Sequence, residues 1–234
     1  YAFNTDSEIS YGEDLPPLPS TGTLKTASHT ALKATLDSVD VEKMSYAEIL
    51  DLLKKEYSDI ITDVLPEKPM NVDPYVIEIN KEKAKEFPPR PATGVKAWPL
   101  HMEDQCARVL DRLEKEHVIR KLDPDETTPY LATSLFVKKK DPMADPRLVT
   151  NHDRLNLNVD RQMHPINSPQ ALMQRIEHDS RHWIAFDLLK GYNQIPLADE
   201  SQILTAFLTP KGRYCYKRLS MGLTISGDIF NIYS

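Results

Sequence analysis

The sequence predicts an α+β fold, in which short strands alternate with helices. Three observations favour this class. Short apolar runs typical of strands begin near Tyr130, two amphipathic segments have helical spacing, and Lys211-Gly212 marks a tight turn between two of the runs. Helices that interrupt short strands pack in layers around a shared core.

The composition is that of a globular chain. Of the 234 residues, 40% are hydrophobic and 27% are charged. No apolar run approaches the ~18 residues of a transmembrane helix, and the first ten residues lack the features of a signal peptide. We therefore expect an intracellular protein with no membrane partner, in which Cys106 and Cys215 are free thiols.

The acidic charge is concentrated near the N-terminus. The formal net charge is -6, yet residues 1–75 carry 14 Asp+Glu against 6 Lys+Arg. The rest of the chain has a small positive excess. A nucleic-acid partner therefore has to be judged from local basic clusters rather than from the net charge.

Three regions are predicted along the chain. Residues 1–44 have a proline cluster and little apolar periodicity, which predicts a flexible leader. Residues 45–100 are predicted to be a connector, with one helix starting at a Ser45/Glu48 capping box and then a proline-rich extended stretch. Residues 101–234 are predicted to form the folded domain, beginning with an amphipathic helix over 101–117.

The rest of this domain reads as short strands and one further helix. A helix capped by Ser168, with Pro169 in its first turn, is predicted to run to Ile176. Strands are predicted at 135–137, 148–150, 183–186, 203–208 and 214–216.

Asp187 directly follows the predicted strand at 183–186 and precedes a turn at Lys190-Gly191. A carboxylate at the end of a buried strand is suited to bind a hard divalent cation. It is also suited to cap the following turn, and the residue alone does not decide between these roles.

A series of motifs in fixed order resembles the reverse transcriptases of gypsy-type LTR retrotransposons. The resemblance covers roughly residues 45–231. It implies a right-hand polymerase fold, with 101–234 as the fingers and a C-terminally truncated palm behind an irregular and helical N-terminal extension. The matching positions are 138–141, Arg147, 155–156, 186–197, 205–207, Gly212, Tyr214, Arg218, 221–223 and Phe230.

The resemblance also implies roles for individual residues. Asp187 would be a catalytic residue and a ligand of Mg²⁺ or Mn²⁺. The implied nucleotide-binding residues are Lys139, Arg147, Tyr192, Met221 and Gly222. The implied partners are an RNA template, a DNA primer and a dNTP, together with the remaining palm, thumb and RNase H portion of a Pol polyprotein, in the cytoplasm or a virus-like particle.

A basic cluster at Lys211, Arg213, Lys217 and Arg218 contains no acidic residue. Such a cluster is suited to contact a nucleic-acid backbone. Charges at the solvated edge of a hairpin would have the same pattern, so both interpretations stay open.

The sequence departs from the family at positions on which catalytic activity depends. The family uses a downstream Asp-Asp pair as further metal ligands, and this chain contains no such pair. Because one carboxylate does not offset the repulsion between two cations, we predict that this chain alone neither holds the metals stably nor polymerises. The alternative is a non-catalytic nucleic-acid-binding or protein-interaction module derived from a retroelement.

Two further departures lie in the segment that matches the fingers. Residues 141–146 replace a glycine-bearing turn, and Asn151, His152 and Asp153 replace an Asp, an aromatic residue and an Arg. An Arg replaced by Asp reverses the charge at that position. A divergent element and a decaying one would both show such changes.

Overall fold

One mixed five-stranded sheet, in the order β1-β5-β4-β2-β3, is the centre of the described fold. The computed structural model describes residues 44–58, 64–141, 144–164, 168–176 and 187–233. The β2–β4 pairing is parallel and the other pairings are antiparallel. The strands are β1 (Ile119–Lys121), β2 (Ala132–Val137), β3 (Arg147–Asn151), β4 (Phe207–Thr209) and β5 (Gly212–Tyr216).

The chain divides into two units, residues 1–52 and 53–234. Helix α1 (Tyr46–Glu56) begins at the predicted capping box. The Ser45 amide donates to the Glu48 carboxylate at 2.8 Å, and the Glu48 amide donates to Ser45 Oγ at 3.4 Å. The hydrogen bonds that the Ser45 amide and hydroxyl donate to this carboxylate lower the pKa of Glu48. The predicted leader lies outside the described residues, apart from residue 44.

The predicted connector contains a second helix that the sequence analysis missed. Helix α2 (Lys81–Glu86) begins because the Asn80 side chain accepts the amides of Glu82 and Lys83. The extended stretch before it is fixed to the fold, since the Tyr75 amide donates to the Pro196 carbonyl at 2.9 Å. Leu65 and Ile77 are both in the hydrophobic core. Much of this stretch is therefore an integral part of the domain.

The helix predicted at 101–117 is confirmed as a short 3₁₀ turn (Leu100–Met102) followed by α3 (Glu103–Lys115). Its apolar face supplies Cys106 and Leu110, both fully buried. Cys106 and Cys215 are free thiols, as expected. Burial raises the pKa of Cys215 to about 11.

The predicted strand at 203–208 is only half right. Residues Ile203–Thr205 form a 3₁₀ turn because the Thr205 hydroxyl donates to the Gln202 carbonyl at 2.7 Å, and β4 starts only at Phe207. Strand β1 was not predicted, and the predicted strand at 183–186 lies outside the described residues. The remaining helices are α4 (Asp153–Asn156), α5 (Pro169–Met173), α6 (Asp199–Gln202) and α7 (Ser226–Tyr233).

The turn between β4 and β5 is confirmed where Lys211-Gly212 predicts it. Gly212 has φ 123°, a conformation that side chains disfavour. No helix among the described residues is long and apolar enough to cross a bilayer.

Candidate functional site

Lys139 and Arg147 flank the loop that joins β2 to β3. Strand β2 ends at Val137, which pairs with Arg147 in antiparallel register, and Lys139 follows two residues later. Both cations are exposed, and neither has an ion-pair partner within the described part of the chain. Two cations on either side of one loop are suited to bind a polyphosphate.

An apolar surface leads from this loop along the outward face of the hairpin. Strand alternation places Leu135, Val137 and Val149 on the same face as Arg147. Their exposed fractions are 36%, 46% and 38%. An apolar surface bordered by cations offers contacts both for bases and for phosphates.

Asp187 is exposed and lies in a segment that is neither helix nor strand. It is the first described residue after a gap, so the predicted preceding strand is untested. No group of three or more His, Cys, Asp or Glu in the described ranges is placed to hold a metal ion. The described donor set, one exposed carboxylate, therefore does not fit a pair of divalent cations.

The turn after Asp187 is fixed by an ion pair. Lys190 has the left-handed φ of 46°, and its Nζ lies 2.6 Å from a carboxylate oxygen of Glu116. A 3₁₀ helix (Gly191–Gln194) follows at once. The ion pair thus joins this segment to the residue that directly follows α3.

Tyr192 lies on this 3₁₀ helix and packs edge-on against Phe230 of α7, with ring centroids 5.4 Å apart. Gly191 makes that contact possible, because a Cβ there would lie 2.7 Å from the Phe230 ring. Tyr192 is only partly buried. Part of the ring therefore remains available to a ligand.

Met221 and Gly222 are adjacent in sequence but differ in surroundings. Met221 is 60% exposed. Gly222 has φ 94°, and a Cβ there would lie 2.9 Å from the Thr150 carbonyl oxygen of β3. Close approach to β3 therefore explains this glycine without a nucleotide, and it brings Met221 near the strand that carries Arg147.

The basic cluster at 211–218 is not a free cationic surface. Arg218 is 2% exposed and donates to the carbonyls of Pro66, Glu67, Asn193 and His117, so its guanidinium is engaged within the fold. Burial lowers its pKa.

Two other members of the cluster, Arg213 and Lys211, also have partners within the fold. The Arg213 guanidinium donates to the carbonyls of Asp123, Pro124 and Glu126, so it serves the fold as well. Lys211 lies 3.3 Å from Asp111, and Lys217 is partly buried. Only Lys211 and Lys217 therefore remain candidates for phosphate contacts.

A cationic groove that the sequence patterns did not predict lies elsewhere on the surface. A cavity of about 540 Å³ is lined by residues 90–96 together with Thr133 and Arg154. Arg90, Lys96 and Arg154 are exposed and have no ion-pair partner among the described residues. The available signal was the run 88–102, which contains no acidic residue.

The groove meets the outward face of the hairpin. Thr133 of β2 lines both the groove and a neighbouring cavity of about 170 Å³, which also contains Asn151 and His152. Cations thus lie at both ends of one surface, with the apolar residues of β2 and β3 between them.

A buried cluster of three polar side chains lies beneath this surface. His152 Nε2 lies 2.9 Å from Thr150 Oγ1, which lies 3.3 Å from the Tyr216 hydroxyl. Burial lowers the pKa of His152 to about 4 and raises that of Tyr216 to about 12. The His152 imidazole is therefore neutral near pH 7.

Residues 133–234 match the model of the family described as "Reverse transcriptase (RNA-dependent DNA polymerase)". The matched stretch begins in β2 and includes the hairpin loop, Asp187, Tyr192 and α7.

Curated relatives are Pol-type polyproteins. The chain is 28% identical over 136 residues to "Retrovirus-related Pol polyprotein from transposon opus" of Drosophila melanogaster, covering 57% of this chain and 13% of that protein. It is 23% identical over 216 residues to "Putative enzymatic polyprotein" of Cassava vein mosaic virus, covering 88% and 31%. Relatives thus include proteins of transposons and of plant viruses, and the chain spans less than a third of the length of either.

Solved structures confirm the predicted fold class. Prototype foamy virus protease-reverse transcriptase matches with TM-score 0.62 and 19% identity, over 78% of this chain and 23% of that one. The foamy viral protein in complex with an RNA/DNA hybrid matches with TM-score 0.60 and 17% identity, over 81% and 24%. The described fold is therefore the mixed α/β fold of reverse transcriptases.

Proposed function

We propose that this chain is the fingers and N-terminal palm of an RNA-directed DNA polymerase encoded in the Pol polyprotein of a gypsy-type LTR retrotransposon. The observation that carries the proposal is the ordered series of motifs between 138 and 230, within a stretch that matches the reverse transcriptase family from residue 133. The assignment to the gypsy type depends on the resemblance of residues 186–197.

Lys139 and Arg147 are proposed to bind the triphosphate of an incoming nucleotide. Their exposure and their position on either side of one loop support this role. An ammonium and a guanidinium both offset phosphate charge, and the guanidinium adds paired N–H donors. Tyr192 would contact the sugar with the part of its ring that Phe230 leaves free, and Met221 would lie beside the base.

The template strand is proposed to follow the outward face of the β2–β3 hairpin. Leu135 and Val149 would contact bases, while Arg90, Lys96 and Arg154 would contact phosphates. The absence of ion-pair partners for these cations within the described ranges supports the proposal, since a paired cation gains less from a phosphate. These residues take the place of Arg213 and Arg218, which serve the fold.

The isolated chain is proposed to be inactive as a polymerase. In the family, divalent cations activate the attacking hydroxyl and stabilise the leaving group. Asp187 is the one residue of this chain matched to a metal-binding position, and the sequence contains no Asp-Asp pair. No catalytic step is therefore assigned to a metal held by this chain.

Primer extension on an RNA template in the presence of Mg²⁺ tests this proposal. We expect no extension by the chain alone, and binding of the primer-template should be measured in the same reactions. Extension that Asp187→Asn abolishes would contradict the proposed inactivity. Binding without extension agrees also with a retroelement-derived nucleic-acid-binding module. This second candidate is favoured by the cations that lack ion-pair partners among the described residues.

A further inference from the structure

Asp145 connects the β2–β3 loop to helix α3. Its carboxylate lies 2.8 Å from Arg112 Nη1 and 3.8 Å from Arg108 Nη2. The two arginines are four residues apart on α3, so they lie on the same side of the helix. The helix itself is held in the core by Cys106 and Leu110, so it provides a fixed base for the contact.

A conformationally restricted stretch of backbone connects Asp145 to Arg147. Pro146 lies between Asp145 and Arg147 and is buried. Its ring fixes φ, and a residue that precedes proline is restricted to extended conformations. Fixing the Asp145 side chain therefore limits the directions in which the chain enters β3 at Arg147.

The sequence shows why this loop needs such support. The glycine-bearing turn of the resembling family is replaced here by residues 141–146. Arg147 is the first residue of β3, at the edge of the sheet, and its side chain is exposed. Holding the backbone at residue 147 fixes the point and the direction from which this side chain extends.

We propose that Asp145 is a positioning residue, which acts through α3 to orient Arg147 toward the polyphosphate of a nucleotide. This inference rests on the proposed function, because that function makes Arg147 a phosphate ligand. Asp145 repels an anion by its own charge, so its favourable effect is exerted through the geometry of Arg147. The proposal therefore predicts that Asp145→Asn weakens the binding of an anion, whereas the loss of a negative charge alone would strengthen it.

The test is the affinity of the full chain for inorganic tripolyphosphate, measured by titration calorimetry at low salt. We expect Asp145→Asn to weaken binding by about five- to tenfold, although it removes a negative charge. The matched control is Asp111→Asn. It removes a carboxylate of α3 that is paired with Lys211 and leaves the β2–β3 loop unchanged. It should leave the affinity unchanged or raise it. Equal thermal midpoints would show that the variants are folded.

Two further variants separate this inference from the proposed function. Arg147→Gln should weaken binding strongly, and Arg112→Gln combined with Asp145→Asn should weaken it less than the sum of the two single changes. If Arg147→Gln lowers the affinity but Asp145→Asn does not, the positioning role is wrong and the phosphate site stands. If Arg147→Gln has no effect, both the site and the positioning role are wrong.

Discussion

Arg218 donates a hydrogen bond at 3.1 Å to the backbone carbonyl of Pro66, a residue 152 positions earlier in the chain. The same guanidinium reaches the carbonyls of Asn193 and His117. It thereby joins the proline-rich stretch, the segment after Asp187 and the end of α3. An arginine that the sequence suggests for a nucleic-acid contact is therefore a central residue of the fold.

Arg218→Met should lower the free energy of unfolding by about 3 kcal/mol, because four backbone carbonyls lose the buried guanidinium that joins them. Chemical denaturation of the full chain measures this. The control is Lys217→Met, which changes the neighbouring, partly exposed side chain and should stay within about 0.5 kcal/mol of wild type. Equal losses for the two variants would contradict the assigned role.

Gly222→Ala should destabilise the chain by about 2 kcal/mol. The substitution adds a Cβ 2.9 Å from the Thr150 carbonyl oxygen at a φ of 94°. Gly94→Ala is the matched control, since a Cβ there meets nothing within 4 Å. Thermal unfolding should show a lower midpoint for the first variant and little change for the second. If Gly222→Ala leaves the midpoint unchanged, the close approach to β3 is not required for stability.

Stability should fall on acidification between pH 6.5 and about 4, because of His152. Its folded pKa of about 4 lies below the ordinary 6.5, so the unfolded chain binds a proton that the folded chain does not. The contribution is complete above pH 6.5 and is lost as the pH falls toward 4. His152→Phe should flatten this slope in denaturation curves recorded across the range. Tyr216→Phe, which keeps the imidazole, should retain the slope, and an unchanged slope in His152→Phe would contradict the assignment.

Replacing Arg90, Lys96 and Arg154 with Gln should weaken binding of single-stranded RNA and reduce its salt dependence. Each lost phosphate contact lowers the slope of log affinity against log salt by about 0.7, so the triple variant should lose about two. The control neutralises three lysines of α2, Lys81, Lys83 and Lys85, of which two already have carboxylate partners. If both variants lose the same slope, the groove has no special role.

Local patterns were sufficient to predict much of the fold. The Ser45/Glu48 capping box and the apolar face of α3 are set by residues close in sequence, and both are confirmed. Strand β1 was missed because it has three residues and forms through pairing with β5, far along the chain. The 3₁₀ turn at 203–205 was missed because a side-chain hydroxyl, rather than an apolar pattern, determines it.

For the candidate site, the sequence predicts which residues are exposed better than it predicts what each residue does. Exposure of Lys139 and Arg147 agrees with the expectation for phosphate ligands, which remains a proposal. The roles of Arg213 and Arg218 were not predictable, because their carbonyl partners come from other parts of the chain. Charge patterns along a sequence do not reveal which cations are already paired in space.

Filter binding of an RNA–DNA hybrid to the full chain, at two salt concentrations with and without Mg²⁺, is the decisive test of the proposed function. We expect binding that weakens steeply at the higher salt. Binding should not require the metal, because the proposed phosphate ligands belong to this chain, whereas Asp187 is its one residue matched to a metal-binding position. Absence of binding, or binding that salt leaves unchanged, would contradict the proposal that this chain is the fingers and N-terminal palm of a reverse transcriptase.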